Sequence, residues 1–89
     1  MRILLIEDDQ VLANILVQAL TSQRYIVDLA EDGQLGWEYA QDTTYDLLLI
    51  DIELPKLDGI KICQRLRSQG SSIPILIITA KHEALWDLW

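Results

Sequence analysis

The sequence predicts an α/β fold built on a parallel sheet, and three observations carry that prediction. Apolar runs at 3–6, 47–50 and 73–78 are typical of strands buried on both faces of a sheet. Segments with helical periodicity separate these runs. The connections between them are short, which favours right-handed crossovers and therefore parallel strands.

Composition indicates one compact domain. The 89 residues are 51% hydrophobic and 24% charged, which suits a single core. A net charge of -7 argues against this chain itself holding a nucleic-acid backbone, because that requires a basic patch. No apolar run approaches the ~20 residues of a membrane helix. Since Met1 begins a strand rather than a signal peptide and Cys63 is the single cysteine, we expect a cytoplasmic protein.

The first strand is followed by an amphipathic helix. The strand at 3–6 ends at three acidic residues in a row, 7–9, which are tolerated only when they face water or a cation. Residues from about 10 to 22 then have helical periodicity, and their apolar stripe is predicted to cover the sheet. The predicted stripe consists of Leu12, Ile15, Leu16, Ala19 and Leu20.

A second strand and helix follow. Residues 25–30 alternate and are rich in β-branched and aromatic side chains, as in an outer strand with one wetter face. The turn Asp32-Gly33 comes next. Residues 34–41 have a weaker helical pattern with Trp37 and Ala40 on the buried side, and an interior Gly36 costs ~1 kcal/mol relative to Ala.

The second half of the chain repeats this alternation. The central strand, 47–50, ends at Asp51. In the helix after it, Ile62, Cys63 and Leu66 share the predicted buried face, and the helix ends at Gly70. The fourth strand, 73–78, reaches Thr79-Ala80.

Acidic residues follow the first and third predicted strands, so parallel pairing would bring them to one end of the sheet. Ligands bind at the carboxyl ends of such strands, although Asp51 alone also fits an N-cap or turn. Glu7, Asp8 and Asp51 would repel one another unless a hard cation such as Mg²⁺ bound them, with the backbone carbonyl of Glu53 as a further ligand. Asp51 could then attack a phosphoryl group. Thr79 is either a cap of the next helix or a hydrogen-bond donor to phosphoryl oxygens.

With these motifs the chain resembles the receiver domain of two-component response regulators. The resemblance covers residues 1 to about 82 and rests on four motifs in order, each at the carboxyl end of a strand. These are Glu7-Asp8, Asp51, the Leu54-Pro55-Lys56-Leu57-Asp58-Gly59 turn and Thr79-Ala80.

The resemblance implies a flavodoxin-like fold, a partner and a role for each site residue. In the family the sheet order is 2-1-3-4-5, which places the first and third strands at the ligand-binding switch point. Asp51 would take a phosphoryl group from the phosphohistidine of a sensor histidine kinase. Asp8, Asp51 and the Glu53 carbonyl would hold Mg²⁺, Glu7 would hold it through water, and Thr79 would be the switch hydroxyl.

The resemblance also implies that the domain is incomplete. We expect a single receiver domain over 1–89, with four strands in the order 2-1-3-4 and residues 81–89 as a remnant of the fourth helix or a divergent tail. The family's fifth strand, fifth helix and phosphoryl-pairing lysine would be missing, and neither Lys56, Lys61 nor Lys81 occupies that lysine's position. We therefore expect Mg²⁺ binding to survive and phosphorylation to be impaired.

A missing fifth strand would leave 73–79 as an apolar edge with unpaired backbone groups. We expect pairing with a second copy, exchange of elements between copies, or cover by the tail containing Trp86 and Trp89, so a homodimer or domain-swapped oligomer is predicted. His82 is interpreted as a surface residue, because no second histidine or cysteine is near it in the sequence.

Two other functions remain open at this stage. A degenerate receiver that no longer accepts phosphate could act as a self-association or interaction module. A phosphatase of the haloacid-dehalogenase type also has a nucleophilic aspartate after an apolar strand, but Glu53 occupies the position where that family has a second aspartate. A signalling phosphoacceptor, not an enzyme, is the favoured interpretation.

Overall fold

The computed structural model describes residues 1–78 of the chain. Strands and helices alternate along it, as the sequence predicts. The elements are β1 (Arg2–Ile6), α1 (Gln10–Ser22), β2 (Ile26–Ala30), α2 (Gly33–Asp42), β3 (Leu47–Asp51), α3 (Gly59–Ser68) and β4 (Ile75–Ile78).

All four strands are parallel and lie in the order β2-β1-β3-β4. In the register, Ile6 of β1 lies between Ala30 of β2 and Ile50 of β3, and Asp51 lies beside Ile78. The predicted fold class and strand order are therefore confirmed. Because the strands are parallel, the residues that follow β1 and β3 emerge at the same end of the sheet, which we call the carboxyl end.

The core has two parts, one on each face of the sheet. One face is covered by α2 and α3, and the other by α1. On the α2–α3 face the buried residues are Leu4, Ile6, Ala30, Tyr45, Leu48, Ile50, Leu57, Ile62, Cys63 and Leu66. On the α1 face they are Ile3, Leu5, Ala13 and Leu49. Cover on both faces explains why β1 and β3 are continuous apolar runs.

An aspartate begins each helix. Asp9, Asp32 and Asp58 are the N-caps of α1, α2 and α3, and each side chain accepts backbone N–H groups of the first turn. These N–H groups have no partner within the helix, so an N-cap acceptor stabilises the helix by ~1 kcal/mol. The chain therefore turns from strand to helix directly beside the carboxyl end of the sheet.

The predicted stripe of α1 was partly wrong. Ile15 is 59% exposed and Ala19 is also exposed, whereas Ala13 is buried and Val17 packs against the core with Leu16. Both sets are consistent with a period of 3.6, and the sequence does not show toward which of them the sheet lies. As a result, Ile15 and the 71% exposed Val11 form an apolar surface on α1.

The other helices agree with the prediction more closely. Trp37 and Ala40 pack partly buried against the core, and the predicted face of α3 is buried. Gly36 is buried against the side chain of Ile6, so the glycine that weakens α2 also lets the helix approach β1. Gly70 follows α3 with a φ of 84°, as a residue ending a helix often does.

The fourth strand is only partly buried, although an apolar run of this kind is typical of a strand covered on both faces. Leu76 is 56% exposed, and within residues 1–78 β4 pairs only with β3. Thr79, Lys81, His82, Trp86 and Trp89 lie outside the described residues, so the expectations placed on them stay predictions. None of the helices in residues 1–78 combines the length and the hydropathy that crossing a bilayer requires.

Candidate functional site

Glu7 is a buried acid directly after β1. Its backbone N–H donates to the Ala30 carbonyl at 3.0 Å, which extends the pairing of β1 with β2 by one residue. The side chain is 2% exposed, and its Oε2 accepts the Asp9 N–H at 3.0 Å. The other oxygen, Oε1, is buried and has no hydrogen-bond partner among residues 1–78. A buried carboxylate oxygen without a donor is costly, so either a proton or a cation at Oε1 would stabilise it.

The next two acids have different roles, although the sequence presents them together. Asp8 is exposed at the carboxyl end of the sheet. Asp9 caps α1, and its Oδ1 accepts the N–H groups of Val11 at 3.0 Å and Leu12 at 3.1 Å. Only Asp8 therefore has a carboxylate left for the site.

Asp51 is the last residue of β3 and is half-buried. Its Oδ1 accepts the backbone N–H of Glu53 at 3.3 Å, which holds the carboxylate toward the loop after the strand. That loop returns close to β3, because the Gly59 N–H donates to the Ile52 carbonyl at 3.0 Å. A Cβ at Gly59 would overlap the Asp51 carbonyl oxygen, so only glycine fits this return.

These strand ends bring three acids together. One carboxylate oxygen each from Glu7, Asp8 and Asp51 lies within 4.8 Å of the other two. No basic side chain pairs with them in the described part of the chain, where the ion pairs are Arg2–Asp28 and Lys56–Asp32. The site is consequently an uncompensated acidic cluster at the switch point of the sheet.

Electrostatics at the cluster favour the protonated acids. The pKa of Glu7 is raised to about 7, mainly by burial; the Asp9 N–H lowers it and the neighbouring Asp51 charge raises it. Burial also raises the pKa of Asp51, and the charge of Asp8 adds to this. Without a cation, the folded protein is expected to share a proton between Glu7 and Asp51 at acidic pH.

A hard divalent cation fits this donor set. Mg²⁺ binds oxygen ligands, uses one or two carboxylates and retains waters that a phosphate oxygen can replace. The cluster offers carboxylates alone, one of them with a buried oxygen that lacks a donor, and no histidine or cysteine. Glu7, Asp8 and Asp51 would hold the ion.

Two predicted site residues are less directly defined. Glu53 is exposed in the loop after β3, and its N–H contacts Asp51 while its side chain is outside the carboxylate cluster. A role for its carbonyl as a metal ligand stays a prediction. The same holds for Thr79, which lies beyond residue 78.

A cavity of about 240 Å³ lies near the opposite end of the sheet. Its lining includes Tyr45 and Ile73, which come before β3 and β4, together with the apolar side chains of Leu4, Leu48 and Leu66. No site acid lines it. Its position separates it from the chemistry that the acidic cluster can support.

Comparison with known proteins identifies relatives over nearly the whole chain. The profile of the family described as "Response regulator receiver domain" matches residues 3–85. Protein RcaC of Microchaete diplosiphon is 52% identical over 81 residues, which are 91% of this chain and 12% of RcaC. Response regulator RppA of Synechocystis is 44% identical over 85 residues, covering 93% of this chain and 36% of RppA. The chain therefore spans about a third or less of these relatives.

Solved structures agree with the sequence comparison. The Thermotoga maritima response regulator TrrA in complex with Mg²⁺-BeF superimposes with a TM-score of 0.88 at 29% identity, covering 98% of this chain and 76% of TrrA. TrrA has also been solved in complex with the histidine kinase ThkA, and that structure matches with a TM-score of 0.86 at 28% identity over 98% of this chain and 75% of the matched chain.

Proposed function

Because this chain belongs to the response regulator receiver domain family, we propose that it accepts a phosphoryl group on Asp51 from the phosphohistidine of a sensor histidine kinase. The observation that carries the proposal is the group of three uncompensated carboxylates within 4.8 Å at the carboxyl ends of β1 and β3. Receiver domains are signalling domains, so Asp51 is proposed as a stoichiometric acceptor that can assist its own phosphorylation and dephosphorylation.

Each site residue has a distinct part in the transfer. An oxygen of Asp51 forms the new bond to phosphorus, the phosphorus–nitrogen bond of the phosphohistidine breaks, and the imidazole keeps the electron pair. The Glu53 N–H orients the attacking carboxylate through Oδ1. Bound Mg²⁺ supplies positive charge that offsets the repulsion between carboxylates and phosphoryl oxygens.

Positions of the remaining ligands follow from the same proposal. Asp8 and Asp51 would bind Mg²⁺ directly with the Glu53 carbonyl, and buried Glu7 would bind it through water. Thr79 would donate a hydrogen bond to a phosphoryl oxygen. The Mg²⁺-BeF complex of TrrA, a structural relative, supports a magnesium site in this chain.

A histidine kinase is the proposed partner, and the complex of TrrA with ThkA supports it. Val11 and Ile15 are exposed one turn apart on α1, which begins just after Asp8 and Asp9. An apolar surface beside the acceptor aspartate suits a docking contact that brings the phosphohistidine to Asp51. The transfer would take place in the cytoplasm.

A second candidate function is a self-associating module that does not accept phosphate. The exposed Leu76 of β4 favours it, since β4 pairs only with β3 within residues 1–78. Analytical ultracentrifugation over a range of concentrations tests this: a homodimer or exchanged oligomer supports the module, and a monomer at all concentrations contradicts it.

Intact mass spectrometry after incubation with Mg²⁺ and acetyl phosphate tests the phosphoacceptor function. We expect one phosphoryl group per chain, absent from Asp51→Asn and present in the matched control Asp42→Asn, which changes an exposed aspartate at the end of α2. A wild-type chain that gains no phosphoryl group contradicts the proposal and favours the interaction module. An adduct that persists in Asp51→Asn contradicts the assignment of the acceptor.

A further inference from the structure

The loop between β3 and α3 is held at two places, and only one of them is beside Asp51. At its base, Gly59 returns to the backbone of Asp51 and Ile52. At its far side, the loop contacts the first turn of α2, an element that contributes no residue to the acidic cluster. This second attachment comes from a part of the chain about twenty residues earlier.

Three contacts form that attachment. The Gly33 N–H donates to the Pro55 carbonyl at 3.1 Å, and the Lys56 Nζ lies 3.5 Å from Oδ2 of Asp32. In addition, a Cβ at Gly33 would overlap the carbonyl oxygen of the buried Leu57, so the helix can lie this close to the loop only with glycine there. We call Asp32, Gly33 and their three partners the α2 clamp.

The Asp32 carboxylate is held in place by its hydrogen bond to the first turn of α2. Its Oδ1 accepts the Leu35 N–H at 2.8 Å as the N-cap of α2, which leaves Oδ2 directed at Lys56. The Leu35 N–H, followed by the Lys56 charge, lowers the pKa of Asp32, so this carboxylate is ionised at neutral pH.

The clamped loop has an unfavourable backbone conformation. Lys56 has a φ of 71°, a left-handed value that a lysine adopts only when its surroundings impose it. The Leu57 N–H donates to the Pro55 carbonyl at 2.8 Å, which makes the turn tight. Without external contacts such a turn would relax, and Glu53 lies two residues before its first member.

We propose that the α2 clamp positions the β3–α3 loop and thereby the Glu53 backbone, making Asp32 and Gly33 positioning residues of the metal site. The inference rests on the proposed function for its metal but on the contacts above for its geometry. The Glu53 N–H donates to Asp51, and the Glu53 carbonyl is a proposed ligand of the ion, so a loop that shifts at Pro55–Leu57 would disturb both.

A pair of glycine variants tests the clamp. Gly33→Ala adds a methyl group against the Leu57 carbonyl, whereas the control Gly36→Ala adds one against the Ile6 side chain, one turn later in the same helix. Both variants should be less stable to unfolding. We expect Mg²⁺ affinity, measured by calorimetric titration of the 89-residue chain, to fall about tenfold or more in Gly33→Ala and less than about twofold in Gly36→Ala. Equal losses of Mg²⁺ affinity in the two variants would overturn the proposal.

Two charge variants provide a test that does not depend on Gly33→Ala folding. Coulomb attraction alone predicts that Asp32→Ser weakens Mg²⁺ binding and that Lys56→Gln strengthens it, because they remove charges of opposite sign. The clamp predicts that both weaken it, by about twofold, and that the double variant loses no more than either single one. Serine keeps the N-cap. Opposite changes of Mg²⁺ affinity in the two single variants, or additive losses in the double variant, would contradict the proposal that the α2 clamp positions the loop.

Hydrogen exchange of the metal-free chain separates this inference from the proposed function. The Leu57 amide should exchange about tenfold faster in Asp32→Ser and Lys56→Gln than in the wild type, and no faster in Gly36→Ala. If the wild-type chain binds no Mg²⁺, the proposed metal site is wrong. The exchange rate of the Leu57 amide then still shows whether the α2 clamp holds the loop. Unchanged exchange at Leu57 in both charge variants would overturn it.

Discussion

Acidic side chains lie in two different surroundings on this sheet. Asp28 of β2 reaches toward the start of the strands, where it lies 3.0 Å from the Arg2 guanidinium and accepts the Tyr45 hydroxyl at 2.7 Å. These partners, the Tyr45 hydroxyl first, lower the pKa of Asp28. At the carboxyl end, burial and like charges raise the pKa of Glu7 and Asp51.

The opposite pKa shifts distinguish an acid that stabilises the fold, Asp28, from acids that are available to bind a cation, Glu7 and Asp51. We call the first group, Arg2, Asp28 and Tyr45, the paired cluster, and the second, Glu7, Asp8 and Asp51, the open cluster. The paired cluster contains its own cation, with Arg2 also 5.6 Å from the Tyr45 ring. Within residues 1–78 the open cluster has none, so protons or a metal ion would remove its repulsion.

The two clusters should differ most strongly in how stability depends on pH. In the metal-free chain, unfolded Glu7 loses its proton near 4.5 while folded Glu7 keeps it to about 7, so the folded state binds more protons between these values. Stability should therefore fall as pH rises through this window, by up to about 3 kcal/mol. Urea unfolding at several pH values measures this, with Glu7→Gln as the control that should lack the fall. Stability that rises across the window in the wild type would contradict the open cluster.

Next in size are opposite changes in stability when one acid of each cluster is neutralised. Asp28→Ala leaves the buried Tyr45 hydroxyl without its acceptor and should destabilise the chain by about 2 kcal/mol. Glu7→Gln removes an unpaired buried charge and should stabilise the metal-free chain by about 1 kcal/mol at pH near 8. Chemical denaturation provides both values. If both variants lose stability equally, Glu7 stabilises the metal-free fold as Asp28 does, and the proposed difference between the two clusters is wrong.

Magnesium affinity should depend on the acids of the open cluster and not on Asp28 of the paired cluster. Asp8→Asn and Glu7→Gln should each weaken Mg²⁺ binding about tenfold, because they remove ligand charge from the site. Asp28→Asn changes the net charge equally but should alter the affinity less than about twofold. Calorimetric titration compares them. A similar loss in all three variants would mean that overall charge, rather than the site, attracts the ion.

Tyr45→Phe should change stability the least. It removes the hydroxyl that Asp28 accepts and should cost about 1 kcal/mol. The pKa of Asp28 should rise toward its ordinary value, so the stability that depends on its ionisation is lost at a higher pH as the solution is acidified. NMR titration of Asp28 measures this, and an unchanged pKa would remove Tyr45 from the paired cluster.

Much of the fold could be predicted because its signals are local. Apolar runs that end in acids located β1 and β3, and parallel pairing then required Glu7, Asp8 and Asp51 to meet. Helix positions followed from periodicity in the same way. The rotation of α1 did not, since the exposed Ile15 and the buried Ala13 fit a helical period equally well.

The parts that could not be predicted depend on contacts between distant residues. From the sequence, Gly36 indicates only a cost to α2, although it allows the approach of Ile6, and Asp32-Gly33 indicates only a turn. The contact of Gly33 with Leu57 joins segments that share no pattern in the sequence. The alternating pattern of residues 25–30 likewise does not distinguish Asp28, whose contacts with Arg2 and Tyr45 form only in the folded chain.

An NMR titration of the Glu7 carboxyl carbon, with and without Mg²⁺, shows whether the open cluster is a metal site. We expect a pKa of about 7 in the metal-free chain and a pKa well below this when Mg²⁺ is bound, because the ion stabilises the ionised carboxylate. A Glu7 that titrates near 4.5 without metal and does not respond to Mg²⁺ would rule out a metal site at the open cluster.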